Sequence, residues 1–79
     1  MAEHGHEHGH ERLIAELRQA IETSVDGVRR ARLLAILQRL EQSHGTDSFG
    51  HNVKAMIEEV EADAAGLAPF LARLSSLLP

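Results

Sequence analysis

The sequence contains no cysteine, which removes two common ways of stabilising a small domain. Its 79 residues form at most one domain, and a chain this short buries only about 60–65 % of its surface on folding. Neither a disulfide nor a zinc site with thiolate ligands can add stability. Because self-association is the remaining common device, we expect a homodimer.

Aromatic residues are also scarce, since the chain has no tryptophan or tyrosine and only two phenylalanines, Phe49 and Phe70. Base-stacking surfaces for single-stranded nucleic acid are therefore not expected. The 12 acidic residues exceed the 8 basic ones, giving a net charge of −4, which argues against nucleic acid as a partner. Protonation of all six histidines would bring this charge from −4 to +2, so the sign should change below neutral pH.

Long hydrophobic runs are missing, because no apolar stretch approaches the about 18–20 residues of a transmembrane helix. The first residues also lack the basic and then apolar pattern of a signal sequence. We therefore expect a cytoplasmic protein without a membrane partner. Apolar residues instead recur every three or four positions. This spacing predicts an all-α fold, a small antiparallel hairpin or bundle of three to four helices around an aliphatic core.

The periodicity predicts helices at about residues 11–23, 27–43, 49–65 and 69–78. Asp26 is the predicted N-cap residue of the second helix, and Asp47 or Ser48 that of the third. Gly45 is suited to the left-handed residue that follows a helix end.

The last apolar stripe runs almost to the end of the chain but is interrupted by Gly66 and Pro69. A proline in a helix interior costs roughly 3 kcal/mol. We therefore expect one kinked helix or two nearly coaxial segments. The leucine-rich end is interpreted as core or dimer seam rather than as a membrane-binding surface.

The charged face of the second helix and the width of its apolar stripe predict which helices it contacts. Its apolar stripe is wide, which favours contact with more than one helix. Its polar face is basic and that of the third helix is acidic, which favours these two as antiparallel neighbours. The charged residues are Arg29, Arg30, Arg32 and Arg39 on the second helix, and Glu58, Glu59, Glu61 and Asp63 on the third.

The first ten residues, MAEHGHEHGH, place a histidine at every second position: His4, His6, His8 and His10. Because this segment has two glycines and no large apolar residue after Met1, it is predicted to be a disordered, flexible tail, separate from a helical domain at 11–79. On a helix, residues two apart would point about 200° away from each other. In a flexible chain, all four imidazoles can reach one ion. Neutral imidazole suits Ni(II), Cu(II) and Zn(II), so the tail is predicted to bind one of these divalent metals.

The start of the chain also resembles a second metal-binding device. If Met1 is removed, Ala2, Glu3 and His4 resemble the amino-terminal copper and nickel motif. That resemblance implies a square plane formed by the amine, two backbone amides and the imidazole, which suits Cu(II) and Ni(II). Two further histidines, His44 and His51, flank a predicted loop and are candidates for a second site in a dimer. The histidines are also compatible with an added affinity segment, or with a native tail whose metal affinity is incidental.

The segment between the second and third predicted helices contains Gly45-Thr46-Asp47-Ser48-Phe49. It resembles the Gly-x-Asp-Ser-Leu signature of acyl and peptidyl carrier proteins. The resemblance implies a phosphopantetheine arm on Ser48. Carrier proteins have a long irregular loop before this serine, whereas this chain has a periodic helix there. Asp-Ser is also an ordinary capping pair between two helices, and capping is the preferred interpretation.

Catalysis is not expected, because nothing near Asp47, Ser48 and His51 supplies the pocket and orienting group of a catalytic triad. The preferred hypothesis is a non-catalytic helical protein that stores or delivers a divalent metal ion held by its histidine-rich segment. The alternative is a helical protein–protein interaction or dimerisation module in which the histidines are incidental. Modification of Ser48, as in a carrier protein, is a third hypothesis.

Overall fold

The computed structural model describes the backbone of residues 4–78 and the side chains of residues 11–78. This part of the chain is helical and contains no strand. Its elements are α1 (His4–Ser24), α2 (Gly27–Gln42), α3 (Phe49–Asp63), a 3₁₀ helix (Ala65–Phe70) and α4 (Leu71–Ser75). The predicted all-α fold with a small helical bundle is confirmed.

Helix α1 is described from His4, seven residues before the predicted beginning at residue 11. Histidine and glutamate are compatible with a helix, and Gly5 and Gly9 each cost only about 1 kcal/mol relative to alanine. The aliphatic residues that follow anchor the helix to the core, and its backbone continues toward the start of the chain. Residues 1–3 and the side chains of residues 4–10 lie outside the described part of the structure. The mobility of the segment therefore stays a prediction.

Helices α1 and α2 form an antiparallel pair. Near the start of α2, Arg30 Nη1 donates a hydrogen bond to the Glu22 carbonyl oxygen over 3.4 Å. Near its end, Glu41 accepts a hydrogen bond from the Arg18 guanidinium. The end of α2 therefore contacts an earlier part of α1 than the start of α2 does, as in an antiparallel pair. Gly27, the first residue of α2, has a φ of +64°, which lies in the left-handed region.

Helices α2 and α3 are also antiparallel neighbours, as the charge pattern predicts. Asn52, in the first turn of α3, donates to the carbonyl oxygen of Arg39, near the end of α2, over 3.4 Å. Farther along α3, Glu59 Oε2 lies 3.5 Å from Nη1 of Arg32. This is the ion pair that joins the two charged faces in the described part of the chain, and the helices are held together mainly by their apolar sides.

The core is aliphatic. Its side chains are those of Leu13, Ile14, Leu17, Ile21, Val25, Leu33, Leu37, Leu40, Val53, Met56, Val60, Ala64, Leu67 and Leu74. Three of them, Leu33, Leu37 and Leu40, come from α2, which contacts both α1 and α3. The prediction that the wide stripe of α2 serves more than one neighbour is confirmed.

The chain reverses direction after α3, so the predicted kinked or coaxial arrangement is wrong. Ala64 has a φ of −141° and a ψ of 59°, which are not helical angles, and the 3₁₀ helix that follows contains Pro69. The chain then returns along α3, because a Cβ atom at Gly50 would lie 4.0 Å from Leu78 Cδ2. Burial of Leu67 and Leu74 against the core favours this reversal over a straight continuation.

Candidate functional site

The backbone of His4, His6, His8 and His10 lies in α1, within about its first two turns. Residues four apart lie on the same side of a helix. Positions 4 and 8 therefore share one side of α1, and positions 6 and 10 share another. The histidine side chains lie outside the described part of the structure. On a helical backbone these positions form two pairs, and the single array of four ligands stays a prediction.

A cavity of about 250 Å³ lies between α1 and the end of α2. Its lining residues are Glu11, Ile14, Ala15 and Arg18 of α1, with Glu41 and His44. Glu11, Ala15 and Arg18 follow one another at spacings of four and three, so they form one stripe along α1. Continued toward the start of the helix, the same spacing reaches His8 and His4. The side of α1 that carries these two histidine positions is therefore the side that borders the cavity.

The polar groups of this cavity are a carboxylate, an ion pair and an imidazole. Glu41 is paired with Arg18, and both side chains are substantially exposed, so the pair contributes only about 0–1 kcal/mol. His44 is exposed, and its ring meets the ring of Phe49 edge-on, with 5.5 Å between the centroids. Carboxylate oxygen and imidazole nitrogen are both zinc ligands. Within residues 11–78, however, no three His, Asp or Glu side chains are grouped closely enough to hold a metal ion.

The two loop histidines lie at different cavities. His44 borders the cavity beside α1, whereas His51 borders another of about 460 Å³, together with Arg39, Gln42, Ser43, Thr46, Ser48 and Asn52. The structure does not bring His44 and His51 together within one chain. A site that joins them across a dimer stays a prediction.

Ser48 is the N-cap residue of α3, and its side chain is exposed, but it makes no capping hydrogen bond. Its φ of −78° and ψ of −10° are helical, whereas a capping side chain usually requires an extended backbone at this position. Asp26, the N-cap residue of α2, also makes no side-chain capping bond. Both predicted N-cap positions are confirmed, and the side-chain hydrogen bonds expected from them are absent.

The turn before α3 is held instead by Thr46. Its hydroxyl donates to the Ser43 carbonyl oxygen over 2.6 Å and accepts from the Ser48 N–H over 3.3 Å. Gly45, which precedes it, has a φ of +85°, and the left-handed conformation predicted for this glycine is confirmed.

A polar contact that the sequence does not reveal fixes the ends of this loop. Ser43 is buried, and its hydroxyl donates to the Leu40 carbonyl oxygen over 3.1 Å. Asn52 Nδ2 donates to the same Ser43 oxygen over 2.9 Å. These bonds join the end of α2 to the first turn of α3. They hold the short segment that carries His44 in a defined position.

Two carboxyl groups lie close together on α3, at Glu59 and Asp63. A hydrogen bond with Asp63, burial, and the negative charge of Asp63 raise the pKa of Glu59 above its ordinary value of 4.5. The guanidinium of Arg32 acts in the opposite direction. Because the net effect is upward, the hydrogen bond with Asp63, the burial of Glu59 and the repulsion between the two carboxylates together outweigh the ion pair with Arg32.

No helix in the described part of the chain is long and apolar enough to span a membrane. Comparison of the sequence with protein-family models, with curated proteins and with solved structures gives no significant match. The function has to be argued from the histidine-rich start of α1 and the groups beside it.

Proposed function

We propose that this protein binds a divalent transition metal ion, Ni(II), Cu(II) or Zn(II), through His4, His6, His8 and His10. The protein would store or deliver the ion without carrying out chemistry on it. The observation that carries the proposal is the density of imidazole groups, four within seven consecutive residues at the start of α1. Imidazole suits late first-row metals, and the chain has no cysteine that would favour softer ions.

The helical backbone favours exchangeable binding. A pair of histidines four residues apart on one side of a helix is an established zinc-binding arrangement. Two protein ligands leave open positions on a four-coordinate ion, whereas structural sites with four protein ligands are closed. An ion held in this way remains accessible to a competing ligand, which suits storage or delivery.

Metal binding is expected to depend on pH, because only the neutral imidazole can coordinate an ion. Protons compete with the metal as the pH falls through about 6, close to the ordinary pKa of histidine. Affinity should therefore decrease steeply over this range.

Isothermal titration with Ni(II), Cu(II) and Zn(II) tests the proposal on the full chain. Replacement of the four histidines at positions 4, 6, 8 and 10 by glutamine should abolish binding and leave the helical circular dichroism spectrum in place, because the core lies at residue 13 and beyond. His51→Gln is the matched control and should bind as the unmodified chain does. Equal affinity in the fourfold variant and the unmodified chain would contradict the proposal.

A further inference from the structure

We propose that the open cavity beside the loop between α2 and α3 binds a phosphate group, either inorganic phosphate or a small phosphate monoester. The cavity has a volume of about 460 Å³ and lies between the end of α2 and the first turn of α3. The donors that would hold the phosphate are the Arg39 guanidinium, the Ser48 hydroxyl and the His51 imidazole. This site is separate from the metal-binding histidines of the proposed function and does not depend on them.

The first argument is the charge of the cavity. Seven polar residues line it: Arg39, Gln42, Ser43, Thr46, Ser48, His51 and Asn52. The ionisable ones among them, Arg39 and His51, are basic. In the part of the chain that the structure describes, no aspartate or glutamate borders this cavity, although the net charge of the chain is −4. The lining therefore favours an anion over a cation or an apolar ligand.

The second argument is that the donors are available. Within residues 11–78, the Arg39 guanidinium and the His51 imidazole have no ion-pair or hydrogen-bond partner. Three other arginines in this range are each paired with a glutamate. The Ser48 side chain makes no capping hydrogen bond, so its hydroxyl is also able to donate to a ligand. All three side chains are exposed. A phosphate group would bind them without displacing a partner.

The third argument is that the backbone around the cavity is fixed before a ligand binds. Asn52 Nδ2 donates to the Ser43 hydroxyl oxygen over 2.9 Å and to the Arg39 carbonyl oxygen over 3.4 Å. The Thr46 hydroxyl donates to the Ser43 carbonyl oxygen over 2.6 Å and accepts from the Ser48 N–H over 3.3 Å. These bonds connect the end of α2 to the first turn of α3. Binding therefore requires less ordering of the chain.

The fourth argument is the match between the donors and the ligand. A phosphate monoester such as phosphoserine carries a charge of about −1.5 to −2 at pH 7 and presents three acceptor oxygens. A guanidinium can donate to two of these oxygens at once. The hydroxyl and the imidazole N–H remain for the third oxygen. A carboxylate has only two oxygens and a smaller charge, so a phosphate group uses this set of donors more fully.

Isothermal titration with inorganic phosphate and with phosphoserine tests the site on the full chain. The protein is first freed of metal on a chelating resin, so that an ion on the histidine-rich segment cannot hold the phosphate. The unmodified chain should bind at least one probe. Arg39→Gln should weaken this binding at least about tenfold, because a charge-assisted hydrogen bond is lost. The Arg39 carbonyl oxygen, which accepts from Asn52, stays in place in this variant.

The matched control is Arg29→Gln, which removes the same charge from the start of α2, at a different cavity. It should change the affinity by less than about twofold, because exposed charges at a distance are screened by salt. Ser48→Ala removes a second donor and should weaken binding by about 2–10-fold. Circular dichroism establishes that each variant is folded.

The relative affinity of the two probes identifies the source of the phosphate group. Tighter binding of phosphoserine indicates a phosphate monoester, and tighter binding of the inorganic ion indicates free phosphate. The inference is overturned if the unmodified chain binds neither probe, or if Arg39→Gln binds as the unmodified chain does. An equal loss in Arg39→Gln and Arg29→Gln would also overturn it, because such a loss reflects net charge and not a site. None of these outcomes bears on the metal-binding proposal.

Discussion

Thr46 holds the turn before α3 through one hydroxyl group that both donates and accepts a hydrogen bond. Ser48, at the position where a capping side chain is expected, makes no such bond. The difference arises from the backbone, because Ser48 already has helical angles and Thr46 lies two residues earlier in the turn. The stability of the loop therefore depends on the residue that the capping pattern does not select.

Thr46→Val is expected to lower the free energy of unfolding by about 1–2 kcal/mol, since it removes two hydrogen bonds of about 0.5–1.5 kcal/mol each. Ser48→Ala is the matched comparison and should change stability by less than about 0.5 kcal/mol, below the usual range for loss of a cap. Urea denaturation followed by circular dichroism measures both values. A larger loss in Ser48→Ala than in Thr46→Val would show that the serine hydroxyl caps α3 in solution.

At the level of single residues, the sequence indicates which side chains are candidate metal ligands. It does not indicate equally well which residues lie next to one another in the fold. The histidines at positions 4, 6, 8 and 10 are candidate metal ligands because of their type and spacing, and that role stays a prediction. That His44 and Glu11 border one cavity is not predictable in this way, because it depends on how α1 and α2 pack. The bond between Ser43 and Asn52 is not predictable for the same reason, since both residues are equally typical of exposed helix ends.

Among the helices, apolar spacing predicts which side of each element is buried but not the direction of the chain. The stripe through Val60, Leu67 and Leu74 keeps its phase, and the structure buries all three residues. A straight helix and a reversal at Ala64 both satisfy this pattern. The reversal follows from packing, because it lets the final segment cover α3. Arg73 of α4 also donates to Glu16 of α1 over 2.7 Å, which links the end of the chain to the first helix.

The carboxyl pair on α3 gives this element a pH-dependent stability. The pKa of Glu59 is raised in the folded protein, so the folded state binds its proton more tightly than the unfolded state does. The stabilising effect of this proton is fully present below the ordinary pKa of 4.5 and is lost as the pH rises through the raised value. Above that raised value, the negative charge of Glu59 is repelled by the negative charge of Asp63.

Glu59→Gln is therefore expected to raise the free energy of unfolding at pH 7 by about 0.2–0.5 kcal/mol, the usual effect of a like-charge pair four residues apart on a helix. The gain should shrink as the pH falls toward 4. Urea denaturation at several pH values measures it. Glu58→Gln removes the same charge from an exposed neighbouring position and should not show this gain. A loss of stability in Glu59→Gln at pH 7 would mean that the ion pair with Arg32 outweighs the repulsion.

Considered as a whole, one chain already encloses an aliphatic core. Its radius of gyration is 12.2 Å, close to the about 12 Å expected for a compact domain of this length. Among the residues whose side chains are described, Val28 is the large apolar residue that is strongly exposed. The leucine-rich end packs inside the chain, with Leu67 and Leu74 buried, as expected if it is core. The homodimer stays a prediction that rests on chain length.

Part of the remaining apolar surface lies on α3 and on the final segment of the chain. Ile57, Phe70, Leu71 and Leu77 are half-buried and pack against the core with part of each side chain. A second copy would bury more of this surface and stabilise a domain whose own core is small. We therefore expect sedimentation equilibrium to give the mass of two chains, and the melting temperature to rise with protein concentration. A single-chain mass together with a melting temperature that does not change with concentration would contradict the dimer. Repeating both measurements with Zn(II) and with a chelator separates association through this apolar surface from association caused by metal, because only the latter disappears with the chelator.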